Sequence, residues 1–465
     1  MRRHVSSFAL LLCTGCFNTH PIDEGSSGTR LELIAWEPED GTGIHATSFF
    51  DRELGVECVW WYDLDAETWR CLPRPSGRLV FLDADCGQAA AHGCAAGDAP
   101  FFTGRRFEAR TNECGGSFGY APSLPFRTGA RRTVDRVFER DPEGECVAGA
   151  TGPLEVVELE PMPNDAFVSG APRPRPRDGD DRIGEVVLAG DDGSELWMGH
   201  YDHERGAACA MLIASGRFPC VPETSGNTTG PTRCGEAFGV TYEARPECGR
   251  EPPQLAVETE YDACGRAVDA RVYRHGARLS EARVEACIDR PTEHIYTELI
   301  DATDEVAWLE NEAEGTGRLR ALPDRPRYVE SWSLGTLGSH FDTELGEECS
   351  PVVVNGVMRC LPVLARAMDE DDLFADAACS EPALGARDAS CSAWTYVARS
   401  DTDGPCLDWS GRDYYRIGER LDVAYRRDDT GACVVWEADG PGERDHGAFR
   451  VAPVPDDTFV AFRRL

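Results

Sequence analysis

The sequence predicts an all-β protein built from three tandem, disulfide-rich repeats, and three observations predict it. One signature recurs: Asp51, Glu53, Gly55, Cys58 and Cys71-Leu72-Pro73, then Asp202, Glu204, Gly206, Cys209 and Cys220-Val221-Pro222, then Asp342, Glu344, Gly346, Cys349 and Cys360-Leu361-Pro362. The Asp-to-Cys step is seven residues each time, which is the mark of an internal repeat. The cysteines follow the same division. With Cys13 and Cys16 set aside, the remaining 18 of the 20 cysteines fall six, six and six into the repeats. Finally, short alternating apolar runs are punctuated by Gly, Pro and Asp, the pattern of antiparallel strands joined by turns. About four strand candidates lie on either side of each repeat's third cysteine. Six such groups fit a six-bladed β-propeller-like arrangement with two blades per repeat. The alternative is three separate antiparallel β modules.

The chain starts with Arg2 and Arg3, then the apolar run Phe8-Ala-Leu-Leu-Leu-Cys13, too short to span a bilayer as a helix. It stops at Cys13-Thr14-Gly15-Cys16, which is similar to a bacterial lipobox, with Cys13 where Leu is usual. Residues 1–16 therefore read as a lipoprotein signal peptide. The resemblance makes Cys16 the lipid attachment site, so the expected partner at this end is a membrane. Residues 17–29 are polar, with Gly-Ser-Ser-Gly among them, and read as a flexible tether.

Repeat 1 is assigned to residues 30–170. Arg30 to Trp36 alternates as a strand, His45 to Phe50 follows, and a hairpin carries Cys58 and Cys71. Val80 to Cys86 enters its second half. Thr133 to Arg140, Cys146 to Val147 and Leu154 to Leu159 are further strand candidates, and the repeat closes on Phe167-Val168. Residues 171–181 hold Pro-Arg-Pro-Arg-Pro-Arg and read as an extended polyproline linker. Repeat 2, residues 182–309, is the most divergent. Val284 to Cys287 and Ile295 to Ile300 are strand candidates there, with a short helix over Leu279 to Ile288 as the competitor for the first. Residues 310–327 form a second linker. Repeat 3, residues 328–465, mirrors repeat 1: Leu373 to Cys379 matches Val80 to Cys86, and Phe459-Val460 matches Phe167-Val168.

An export signal with an even, register-matched cysteine set implies a disulfide framework. Three bridges per repeat allow fifteen connectivities, and adjacent pairing is the simplest. It gives Cys58–Cys71, Cys86–Cys94 and Cys114–Cys146; Cys209–Cys220, Cys234–Cys248 and Cys264–Cys287; Cys349–Cys360, Cys379–Cys391 and Cys406–Cys433. The first pair of each repeat meets a geometric objection. If Asn355-Gly356 is a two-residue turn, Cys360 faces Pro351 and Cys349 lies diagonally across the hairpin. Diagonal neighbours sit about 7–8 Å apart, beyond ordinary disulfide reach unless a bulge intervenes.

Composition removes whole classes of function. The 82 acidic residues against 47 basic ones give a net charge of −35, which repels phosphate backbones, so no nucleic acid partner is expected. Every basic residue is arginine. A Walker A lysine, a Schiff-base lysine and a Ser-x-x-Lys pair are therefore impossible. Gly115-Gly-Ser117-Phe-Gly119 has the letters of a nucleophile elbow, but it leads into Pro122 and Pro125 where a helix would be needed. The histidines lack metal-ligand spacing, and His200 and His340 stand where repeat 1 has Phe49, a pattern that fits packing. Asp369 to Asp372 reads as a solvated acidic run, and Asn227-Thr-Thr229 as a chance glycosylation pattern.

Paired carboxylates carry the remaining chemical signal. Asp51 with Glu53, Asp202 with Glu204 and Asp342 with Glu344 are candidate calcium or ligand contacts made three times. Against this, calcium takes six to eight oxygens, and each pair supplies few. An Asx turn, with the following Gly at positive φ, explains the same spacing and is the reading preferred here. No cofactor is predicted otherwise.

The lipobox-like end and the Asp-x-Glu-x-Gly-x-x-Cys…Cys-(Leu/Val)-Pro unit resemble the uncharacterised cysteine-rich tandem-repeat lipoproteins of high-GC, myxobacterial-type bacteria. The resemblance implies a cell-envelope location, outer-membrane-anchored and facing the periplasm or the exterior. It implies no particular activity. The expectation is a non-catalytic binding or structural module whose partner is an envelope or extracellular protein or glycan. The alternative is an envelope hydrolase or lyase on a propeller scaffold. Repetition favours the first, since a single active site should interrupt the pattern with unique polar residues.

Overall fold

A computed structural model describes residues 25–465, outside the stretches 64–65, 74–77, 93–99, 106–107, 112–116, 121–122, 142–143, 178–179, 211–216, 223–227, 235–236, 243–254, 262–266, 281–294, 311–312, 323–326, 331–332, 337–339, 355–356, 363–372, 387–395, 401–411, 429 and 437–446. The described residues are almost entirely antiparallel β-structure with three short 3-10 turns. Cys16, Cys94, Cys114, Cys248, Cys264, Cys287, Cys391 and Cys406 lie outside them, as do the Asn355-Gly356 turn, Asn227, Asp369 to Asp372 and most of the ambiguous Leu279 to Ile288 segment.

Each repeat has two parts. The first begins with a lead strand: Leu31–Pro38, Asp180–Gly190 or Leu319–Ala321. A second strand follows and ends on the signature aspartate: His45–Asp51, Glu195–Asp202 or His340–Asp342. These pair in one register throughout, with Leu31 opposite Asp51, Ile183 opposite Asp202 and Leu319 opposite Asp342. A disulfide hairpin comes next: Val56–Asp63 with Thr68–Pro73, Ala207–Ala210 with Arg217–Pro222, and Glu347–Val354 with Val357–Pro362. The second part is a separate sheet or hairpin set, five-stranded in repeats 1 and 2 and seven-stranded in repeat 3. The strand candidates of repeat 1 lie there in two long strands, Ser123–Arg140 and Cys146–Pro161. In repeat 2, Ile295–Asp301 is a strand of the corresponding sheet.

After the second part, the chain returns through a 3-10 turn, Asn164–Ala166, Thr303–Glu305 or Asp456–Thr458. A closing strand then runs along the repeat's own hairpin: Ser169–Arg177, Ala307–Glu310 or Phe462–Arg464. Cys71 and Cys360 donate their N–H groups to Val168 and Val460 at this junction, both at 3.0 Å.

The closing strand also reaches a different repeat. Ser169–Arg177 pairs with the lead strand of repeat 2, Gly170 opposite Gly190. Phe462–Arg464 pairs with the lead strand of repeat 1 in the corresponding register, Phe462 opposite Pro38. The lead-strand loops do likewise. The Asp192 loop of repeat 2 sits on the start of repeat 1, and the Asp40 loop of repeat 1 on the start of repeat 3. Arg327–Glu330 of repeat 3 lies against Glu195–Asp202 of repeat 2. Repeats 1 and 2, and repeats 3 and 1, thus meet head to tail in the same way, from closing strand to lead strand. The first parts of repeats 1 and 2 merge, with Arg327–Glu330, Ser333–Thr336 and Phe462–Arg464 of repeat 3, into one 14-stranded sheet rather than standing as separate four-stranded groups.

Two segments read as linkers contain strands. Residues 171–177 belong to the closing strand of repeat 1, and they form a hairpin with Asp180–Gly190. Successive N–H groups of a strand point to opposite edges. Prolines at 172, 174 and 176 therefore remove donors from one edge only, and beyond Gly170 that edge pairs with no described strand. Arg175 adds cross-strand ion pairs to Glu185 and Glu195 at 2.6 and 3.2 Å. The assigned linker 310–327 contains Leu319–Ala321, so repeat 3 begins earlier than residue 328.

The core runs through the closing strands. Leu31, Phe49, Trp60, Trp69 and Val168 of repeat 1 pack with Leu188 and Leu196 of repeat 2. Leu319, Met358, Val460 and Phe462 of repeat 3 pack with Trp36 of repeat 1.

Candidate functional site

Each signature aspartate is buried at the end of its second strand, and there its carboxylate is fully engaged. Asp51 Oδ1 accepts the N–H groups of Glu53 and Leu54 at 3.0 and 3.1 Å, an Asx turn that tightens the corner. Asp202 takes Glu204 and Arg205 at 2.9 and 3.1 Å, and Asp342 takes Glu344 and Leu345 at 3.0 and 3.1 Å. Gly55, Gly206 and Gly346 then donate back to the aspartate carbonyls, with φ of 68°, 67° and 70°. That left-handed conformation is open to glycine at little cost, which fixes Gly at the fourth position after Asp.

An arginine at the start of each lead strand completes the site, directly ahead of it at Arg30 and Arg318 and among its first residues at Arg182. Arg30 grips Asp51 through Nε and Nη2, the latter at 2.7 Å. Arg318 does the same to Asp342, and Arg182 reaches Asp202 Oδ2 at 3.0 Å. The same arginines donate to the 3-10 turn that returns the chain: to Ala166 O at 2.8 Å, Glu305 O at 3.1 Å and Thr458 O at 2.7 Å. Nη1 of Arg30 and Arg318 meets the rim glutamate, Glu53 or Glu344, at 3.1 and 3.0 Å, and Arg182 meets Glu204 through Nε at 3.2 Å. Each site is therefore a clasp that ties the start, the corner and the end of one repeat. The hydrogen bond to Asp51, then its charge, holds the Arg30 guanidinium above its ordinary value in spite of partial burial, and Asp342 does so for Arg318. The sequence offered a signal for these arginines. Arg precedes a β-branched or leucine residue at the head of each lead strand, but the spacing to Asp varies, and Arg318 fell in the assigned linker.

What the clasp can do chemically follows from its occupancy. Asp51, Asp202 and Asp342 are 0–1% exposed, with their oxygens committed to N–H donors. The rim glutamates are 68–70% exposed. One exposed carboxylate per clasp falls short of the six to eight oxygens of a calcium site. Among the described residues, no group of three or more His, Cys, Asp or Glu is arranged to hold a metal ion.

The disulfides correct part of the expected framework. Cys58 bonds Cys71, Cys209 bonds Cys220 and Cys349 bonds Cys360, with Cα separations of 5.3, 4.6 and 5.2 Å. These are diagonal pairs: Cys349 faces Pro362 and Cys360 faces Pro351, in an unbroken ladder. No bulge is needed, because strand twist shortens one of the two diagonals of a hairpin. Cys86 bonds Cys146 and Cys379 bonds Cys433, which replaces the expected Cys86–Cys94, Cys114–Cys146, Cys379–Cys391 and Cys406–Cys433. The reason is topological. The corners at Asp83 and Asp376 sit beside the starts of the strands that begin at Cys146 and Cys433, so bonded cysteines lie 60 and 54 residues apart in sequence. Both corner cysteines are in the left-handed region, at φ 50° and 52°. Arg140 and Arg427 donate to the Cys86 and Cys379 carbonyls and lie over Phe81 and Phe374.

The other sequence candidates take structural places. His200 and His340 are buried, packed edge-on against Trp197 and Phe462. Ser117 opens a strand paired with Glu108–Thr111, with no helix after it.

A family model described as a family of unknown function (DUF7481) matches residues 10–423. No curated protein matches the chain. No solved structure matches it.

Proposed function

Starting from a chain that belongs to this family of unknown function, we propose a cell-envelope lipoprotein that works as a non-catalytic binding or structural module. Cys16 carries the lipid and anchors the chain in the outer membrane, facing the periplasm or the exterior. The repeats act as a stiff platform for an envelope or extracellular protein or glycan. One observation carries this reading: the same Asp, Arg, Glu and Gly do the same mechanical task in all three repeats. A reaction needs one differentiated centre, whereas a platform needs repeated joints. Five disulfides among the described residues agree with export to an oxidising compartment.

Two measurements test it. Mass spectrometry of the N-terminal peptide should find an acylated Cys16, and Cys16→Ser should move the protein from the membrane fraction to the soluble one. An unmodified Cys16 would sink the anchor. Photocrosslinking in intact cells from positions 53, 204 and 344 should capture a discrete envelope partner; no product from any of the three rims would count against the platform.

A further inference from the structure

The contacts between repeats are alike in geometry and unlike in chemistry. Where repeat 2 meets repeat 1, Asp191 N–H bonds Ser169 O at 2.8 Å and Thr29 N–H bonds Asp192 O at 2.9 Å. Where repeat 1 meets repeat 3, the corresponding Glu39 N–H bonds Ala461 O at 2.9 Å, and Thr42 N–H bonds Leu319 O at 2.9 Å. The first contact is a seven-rung ladder within a hairpin. The second is a three-rung ladder with no chain connection beside it.

The buried side chains differ too. Six residues before the clasp aspartate, repeat 2 has Leu196 and repeat 1 has His45; two before it, repeat 1 has Phe49 and repeat 3 has His340. Phe49 and Leu196 share one apolar core at the first contact. At the second, His45 and His340 face each other with ring centroids 6.3 Å apart, and His340 also packs on Phe462 of the closing strand at 5.3 Å. Both histidines are 1% exposed. Several charged groups on the surrounding elements have partners of their own. Glu37 pairs with Arg463, Arg318 pairs with Asp342, and Asp40 accepts the Arg318 backbone N–H. Arg464 is exposed at the chain end.

We propose that the contact between repeats 1 and 3 is an acid-sensitive latch: the His45–His340 pair and the strand Phe462–Arg464 hold it closed while the imidazoles are neutral, and it opens when they gain protons. Two imidazolium rings in a buried contact would repel and would lack water. Burial pushes His340 down to about 4 from its ordinary 6.5. The open form therefore takes up a proton that the closed form refuses. Closure is at full strength above the ordinary histidine range and weakens as pH falls toward about 4.

The other contact behaves differently in the same range. Burial pushes Asp192 up, but the N–H of Leu31, then Ser194 and the N–H of Arg30, more than offset it and hold the group below the usual carboxylate value. Its contribution is present above that usual value and lost only as pH falls through the lower folded one.

Hydrogen exchange on the full-length protein tests the latch, with rates corrected for the intrinsic pH dependence. Between pH 7 and 4.5, protection at Glu39, Thr42 and Leu319 should fall by tens of fold, the ratio set by the folded and ordinary values of His340. Protection at Thr29 and Asp191 should hold. The variant His45→Leu with His340→Phe installs the residues of the other contact and should abolish the loss. Equal pH response at the two contacts of the unmodified protein would overturn the proposal even if that variant fails to fold. So would an unchanged acid response in a folded variant.

Discussion

At the residue scale, the clasp divides one ion network into a buried half and an exposed half, and the two should respond differently to mutation. Asp342→Asn leaves Arg318 facing a neutral amide in a buried site. Losing one partner of such a pair costs about 3–5 kcal/mol, which urea unfolding would read directly. Glu344→Gln removes only a solvent-screened contact, expected to cost about 0–1 kcal/mol. Equal losses from the two variants would contradict the division. A second residue prediction concerns the corner at Asp376. The N–H of Glu381, then the hydroxyl and N–H of Ser380, hold its carboxylate down to about 2. Because the folded value lies below the ordinary 3.8, the corner's contribution is complete above that ordinary value and fades as pH falls toward about 2. Carboxyl-carbon NMR titration should show the low midpoint, and Ser380→Ala should raise it.

At the scale of elements, the disulfides differ in what they restrain. Cys58–Cys71 spans a separation of 13 residues and Cys86–Cys146 spans 60. The loop-entropy model assigns them about 3 and about 4 kcal/mol. Replacing both members of each pair by Ser, with thermal unfolding as the readout, should rank them in that order. Mapping of the unreduced protein should recover peptides that join Cys86 to Cys146 and Cys379 to Cys433. Legibility follows the same line. The all-β class, the hairpins and the Asx turn were readable because each depends on residues close in sequence, such as Asp51 and Gly55. The Cys86 and Cys379 partners were not, because strand order decides them. Arg318 escaped for a related reason: its partner is fixed by a register that no local period reports. The proline run misled because its composition suits two extended states, and only a neighbouring strand chooses between them.

At the scale of the molecule, the three-rung strand at the C-terminus carries more than its length suggests. Phe462 is buried between repeats 1 and 3, and Phe462→Ala should cost about 3–5 kcal/mol. Deleting residues 462–465 should expose the Glu39 and Thr42 amides to exchange while the clasp of repeat 2 keeps its protection. Loss of protection everywhere would mean that the repeats fold only as one unit. Since each described closing strand that leaves its own repeat lands on a neighbour in the same register, the chain's order of joining is incidental to its contacts. The same geometry means that a single repeat, expressed alone, offers an unfilled lead strand and an unspent closing strand, the two halves of a heterologous contact that could close as a three-fold homotrimer.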